Sequence, residues 1–211
     1  MERKTGTISR GIRAPIFRQG DDVVKIVSDC VLEAAKSEGY SVADKDVVGV
    51  TEAVIARTQG NYATVDHIAA DVRAKFEEDT IGVIFPILSR NRFAICLKGI
   101  ARGASKIVLM LSYPSDEVGN HLVDIDALDE KSINPWTDVL SEAKFRTLFG
   151  YEKHTFTGVD YIDYYRTLVE AEQCEIEIVL ANDCRAILDY TKSVLNCDIH
   201  TRERSRRLLF A

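Results

Sequence analysis

Apolar positions along this chain keep two rhythms in turn, one helical and one strand-like. After Gly20-Asp21-Asp22, the residues Val23, Ile26, Val27, Val31 and Leu32 recur near the helical period. Asp21 or Asp22 is placed to cap that helix, and Gly39 stops it. Residues 47–50 (Val-Val-Gly-Val) form an unbroken apolar run that ends in Thr51-Glu52, which predicts a buried strand and then a short helix to Gly60. Thr64 opens a helix with Val65, Ile68, Ala69, Val72 and Phe76 on one face. Residues 81–85 predict a strand closed by Pro86, and 92–101 a helix ending at Gly103. Residues 106–111 are the clearest buried strand, left through a turn over 112–117.

Beyond that turn, 138–149 and 159–172 read as helices and 175–180 as a strand whose end carries Asn182-Asp183. Residues 194–197 are a further strand candidate, and the arginine-rich stretch from His200 starts as a helix and stops. Strands alternating with helices predict an α/β fold, with α+β as the other option. The expected division is a core over 1–115 and a second α/β portion over 116–211. That portion continues the same fold, and its broken-off terminal helix suggests a longer protein.

Composition narrows the function classes. A hydrophobic share of 46% and a charged share of 28% are ordinary for a globular domain. A formal net charge of −6 argues against general nucleic-acid binding. No apolar run approaches the ~20 residues of a membrane helix. The polar start Met1-Glu-Arg-Lys-Thr-Gly has no signal-peptide stretch, so the cytosol is the expected compartment. The five cysteines, Cys30, Cys96, Cys174, Cys184 and Cys197, are scattered, odd in number and without a CxxC spacing. They read as buried or idle thiols.

Polar residues that follow strands carry the candidate chemistry, because open α/β sheets build ligand crevices at strand carboxyl ends. Ser89, Arg90, Asn91 and Arg92 stand at a helix start, where guanidinium forks and free backbone N–H groups suit phosphate or carboxylate. Lys98 and Arg102, one helical turn apart, would extend that basic face. Asp116, Glu117 and Asn120 follow the clearest strand, and hard oxygen ligands of this kind suit Mg²⁺ or Mn²⁺ beside a phosphate. Three weaker signals remain. His154 stands in a hydroxyl-rich turn. Asp198 and His200 share a strand face but have no third partner. Tyr161, Tyr164 and Tyr165 read as a packing face.

The Pro15 turn, Gly20-Asp21-Asp22 and the stretch from Glu52 to Arg57-Thr-Gln-Gly60 resemble the coenzyme F420 γ-glutamyl ligase family, over about residues 11–115. Arg57-Thr-Gln-Gly60 stands where that family has Lys-Ala-Glu-Gly. The resemblance implies a mixed sheet with flanking helices, a guanine nucleotide near Arg13, Ala14, Pro15, Ile16, Glu52 and Arg57, and GTP as substrate. It also implies Mg²⁺ or Mn²⁺, a small carboxylate substrate and a homodimer. The chain departs from the family at 98–105, where Ala101 and Arg102 stand in place of a metal-binding aspartate. Two functions follow: a nucleotide-dependent amide ligase, or a non-catalytic anion- or nucleotide-binding domain that lost its metals. The remaining alternative to the ligase is the N-terminal part of a larger enzyme.

Overall fold

The structure is a computed structural model that describes Lys4 and residues 6–211. Residues 1–3 and 5 of the polar start, and the side chain of Arg92, lie outside the described residues. The chain divides into two compact units, Met1–Ala63 and Thr64–Ala211. The boundary expected after residue 115 falls instead inside the second unit, in a loop between two strands of one sheet.

In the first unit, α1 (Val23–Glu38) begins at Asp22, whose side chain accepts the Lys25 amide at 3.0 Å, and ends at Gly39 with φ 68°. The half-buried stripe of α1 is the one its spacing predicts, except that Leu32 is exposed. α2 (Glu52–Thr58) follows. The strand expected over residues 47–50 is absent: the segment is irregular and Val47 is 91% exposed. A turn over 43–46 leads into it, in which the Asp46 amide donates to the Ala43 carbonyl at 3.1 Å and the Asp46 carboxylate accepts the Ala43 amide at 2.9 Å. The run has the composition of a buried strand but no neighbouring strand to pair with, and a strand without partners leaves its backbone groups unsatisfied.

The second unit is a five-stranded mixed sheet with helices on both faces. Its elements are α3 (Val65–Lys75), β1 (Thr80–Ile84), α4 (Arg92–Arg102), β2 (Lys106–Leu111), α5 (Ile125–Glu130), β3 (Leu140–Ser141), α6 (Glu142–Phe149), α7 (Tyr161–Glu170), β4 (Glu175–Leu180), β5 (Val194–Asn196) and α8 (Arg202–Leu209). The strand order is β3-β4-β2-β1-β5, parallel throughout except for β3. Leu140 and Ser141, expected within a helix, form that short antiparallel strand, and the helix starts only at Glu142.

Alternation along the strands sorts the core into two faces. Ile107, Leu109 and Leu111 of β2 join Val83, Leu97, Tyr165 and Val169 in the larger cluster. Val108 and Met110 join Ile84, Val179 and Ile187 in the smaller one, under α8 and the 3₁₀ turn Cys184–Asp189. With both faces covered, β1 after Thr80 and β2 after Lys106 read as continuous apolar runs. Two thiols, Cys174 and Cys184, are buried, whereas Cys96 is exposed on α4. Among the described residues no helix is long and apolar enough to cross a membrane.

Candidate functional site

Because β1, β2, β4 and β5 are parallel, the loops that leave them share one edge of the sheet. That edge gathers Ser89 and Arg90 after β1, Asp116, Glu117 and Asn120 after β2, Asn182 after β4, and Asp198 and His200 after β5. Asn182 has a structural part there: its side chain bonds the Tyr113 backbone and donates to the Pro135 carbonyl at 3.0 Å.

The turn between β1 and α4 is held from several sides. The Leu88 amide donates to Asp116 Oδ2 at 2.8 Å. The Ser89 amide donates to the Tyr165 hydroxyl oxygen at 2.7 Å, and the Tyr164 hydroxyl donates to the Arg90 carbonyl at 3.3 Å. Glu117 N–H reaches the Pro86 carbonyl at 3.3 Å. Ser89 is therefore half-buried and fixed, while the exposed Arg90 guanidinium makes no hydrogen bond or ion pair among the described residues. Asn91 precedes α4 without a side-chain cap, so the first-turn amides of this helix keep free donors.

Asp116 is 6% exposed, and its carboxylate is enclosed by donors. Oδ1 accepts the Val118 amide at 3.0 Å and the Asn120 amide at 2.8 Å. Oδ2 accepts, besides Leu88, the Asn120 side-chain amide at 2.7 Å. Asp198 is similarly engaged, accepting the Thr201 amide at 2.8 Å and the Thr201 and Ser205 hydroxyls at 2.6 Å each. Burial opposes charge on Asp198, but the bonds from Ser205 and Thr201 together outweigh it and hold its carboxyl below the ordinary range.

Glu117 stands between them, with Oε1 3.9 Å from His200 Nε2. Burial, and then the neighbouring Asp198 carboxylate, push its carboxyl above the ordinary glutamate value of 4.5. A carboxyl raised in this way costs the fold nothing below that ordinary value and progressively more as pH climbs through the raised one. Glu117→Gln is therefore expected to melt higher than the parent near neutral pH and to show no such gain at pH ~4. Thermal melts across that range check it, and a difference independent of pH contradicts it.

A resident divalent cation does not fit this donor set. The Asp116 oxygens are already filled, Asn120 donates into them, and of the three expected ligands only the Asn120 side-chain carbonyl oxygen and the Glu117 carboxylate remain. Among the described residues no group of three or more His, Cys, Asp or Glu could hold a metal. The metal expectation at Asp116, Glu117 and Asn120 read residue types correctly placed after a strand, without the bonds that occupy them.

Ala101 and Arg102 lie elsewhere. α4 runs back across the sheet, so its last residues stand at the opposite edge, about 15 Å from its start at 1.5 Å per residue. Arg102 is fixed there by Glu172 and Asp66, each at 2.7 Å, and Lys98 pairs with Glu172 at 3.3 Å. Neither cation extends the basic turn at Arg90, as their helical spacing had suggested. Hydrogen bonding to Arg102 holds the Glu172 carboxyl below its ordinary range. Nor is Ala101 informative about an aspartate at the candidate site.

Two concavities flank these features. One of about 650 Å³ runs along the amino half of β4, but its arginines are already paired, Arg146 with Asp160 and Arg166 with Glu142. A second of about 520 Å³ is lined by residues 199–204, next to the candidate edge. His154 Nδ1 lies 3.1 Å from the Thr157 hydroxyl and serves its own turn.

The nucleotide expectations fall in the first unit. Gly20 donates to the Thr58 carbonyl at 2.9 Å, and Gln19 packs so close to Gly60 that a Cβ there would lie 2.4 Å from its amide nitrogen. The Gly-Asp-Asp turn and the end of the Arg57-Thr-Gln-Gly60 segment thus meet in space. Glu52 and Arg57 are exposed on α2, and Arg13, Ala14, Pro15 and Ile16 form an exposed irregular segment. Among the described residues no hydrogen bond or ion pair joins that segment to Glu52 or Arg57.

A family model described as F420-0:Gamma-glutamyl ligase matches residues 11–188, leaving β5 and α8 beyond the match. No curated protein and no solved structure matches the chain.

Proposed function

The chain belongs to the F420-0:gamma-glutamyl ligase family, and from that premise we propose that it joins an amino acid such as glutamate to a small carboxylate, with GTP as the activating substrate. In this reading a carboxylate oxygen attacks the γ-phosphorus and the nucleoside diphosphate leaves. The amine then attacks the acyl carbon, inorganic phosphate leaves and the amine proton passes to solvent. No protein nucleophile is required.

The observation that carries the reading is the uncapped start of α4 beside the free Arg90 guanidinium, on the edge where parallel sheets receive ligands. Ser89, Arg90 and Arg92 would hold phosphate or carboxylate there. Arg13, Ala14, Pro15, Ile16, Glu52 and Arg57 are proposed nucleotide contacts by the family resemblance. Mg²⁺ or Mn²⁺ enters as the counter-ion of the triphosphate, and no step is assigned to a protein-held metal.

The filled carboxylates of Asp116 and Asp198 favour a second reading, an anion- or nucleotide-binding domain without turnover. Incubation with GTP, glutamate and F420-0, followed by mass spectrometry, separates the two. A gain of one glutamyl residue supports the ligase. Nucleotide binding with no such gain supports the binder.

We also propose a homodimer, supported by the first unit's bare apolar side chains: Ile16, Val24, Leu32 and Val47 are all exposed. Light scattering is expected to give twice the chain mass, and Leu32→Asp to return it toward the monomer. A wild-type monomer contradicts this.

A further inference from the structure

We infer that Tyr165 is a positioning residue for the anion-binding turn, acting with Asp116 to set the backbone from which Ser89 and Arg90 meet their ligand. Tyr165 is fully buried on α7, and its ring meets Phe85 at the end of β1 edge-on, with centroids 5.6 Å apart. Its oxygen accepts the Ser89 amide at 2.7 Å, while its proton faces the carbonyls of Ser89 at 3.3 Å and Ile87 at 3.5 Å. Burial raises the hydroxyl's pKa, so it stays a neutral donor and acceptor. One residue earlier, the Leu88 amide is taken by Asp116. Two consecutive amides therefore turn inward, to side chains from α7 and from the loop after β2.

That geometry decides how an anion is met. With the Leu88 and Ser89 amides engaged, the turn is not itself an amide cradle. Contact falls to the Ser89 hydroxyl, the Arg90 guanidinium and the first-turn amides of α4. Tyr165 touches none of the ligand and acts through the placement of these groups. The inference rests on the anion-binding part of the functional reading.

Tyr165→Phe, Arg90→Ala and the double variant test it, by calorimetry with GTP and with inorganic pyrophosphate. Each single change is expected to weaken binding about tenfold, the loss of roughly one hydrogen bond's contribution. Because the Arg90 guanidinium is one of the groups Tyr165 places, the double variant is expected to lose less than the product of the two single losses. Amide exchange by NMR is the second readout: the Ser89 amide is expected to exchange faster in Tyr165→Phe while β2 stays protected. Multiplying losses in the double variant, or unchanged affinity in Tyr165→Phe, overturn the inference. If the parent chain binds neither ligand, the functional reading falls by itself. The exchange arm then decides alone: faster exchange confined to residues 87–90 upholds the placement, and unchanged Ser89 exchange overturns it.

Discussion

Asp116→Ala is expected to destabilise the Thr64–Ala211 unit by about 3 kcal/mol and to abolish anion binding. The carboxylate satisfies the backbone amides of Leu88, Val118 and Asn120 and the Asn120 side chain, all at 2.7–3.0 Å. Removing it leaves these donors without their acceptor in a buried place, and each unsatisfied group costs on the order of 1–3 kcal/mol before water or rearrangement recovers part. Asp116→Asn retains one acceptor oxygen but turns an NH₂ toward donors, so it is expected to fall between alanine and the parent. Urea denaturation measures both. A loss below ~1 kcal/mol for alanine would show that solvent replaces the carboxylate and that the loop is not tied through it.

Phe85→Ala is expected to cost about 3–5 kcal/mol, the range for deleting a buried aromatic ring. Phe85 is fully buried where β1 ends and meets Phe93 edge-on at 5.3 Å as well as Tyr165 at 5.6 Å. The cavity would open beneath the Ser89 turn, so stability and anion affinity are expected to fall together. Phe85→Leu retains most of the volume and is expected to cost less than ~1.5 kcal/mol. Denaturant midpoints of the two variants check the ranking. Equal losses would mean that the aliphatic volume leucine retains recovers nothing and that the ring's own shape and edge-on packing carry the contribution.

The same two loops show how far the sequence was legible. β4 shows through the alternation of Glu175 and Glu177 with Ile176 and Ile178, and β1 and β2 stand out because strands covered on both faces are continuous apolar runs. Residues 47–50 have that appearance too, yet the run carries no information about whether a partner strand lies beside it. β3 escaped notice because two residues cannot display a period. Ser89, Arg90 and Asp116 were legible as polar groups just past strands. What the oxygens of Asp116 accept was not, because Leu88 is 28 residues away in sequence. Tyr165 lies 76 residues from Ser89, and three tyrosines at helical spacing signal packing whether or not one hydroxyl holds a distant loop. Ala101 misled for the converse reason: a matched motif position says nothing of which end of α4 it occupies.

The most direct test of the central claim is a calorimetric titration of the parent chain and Arg90→Ala with GTP, then ATP, in the presence and absence of Mg²⁺. Saturable nucleotide binding by the parent is expected, lost or much weakened in Arg90→Ala while the fold is retained. Binding that is indifferent to Arg90, or no binding of either nucleotide, would contradict the placement of an anion at the start of α4.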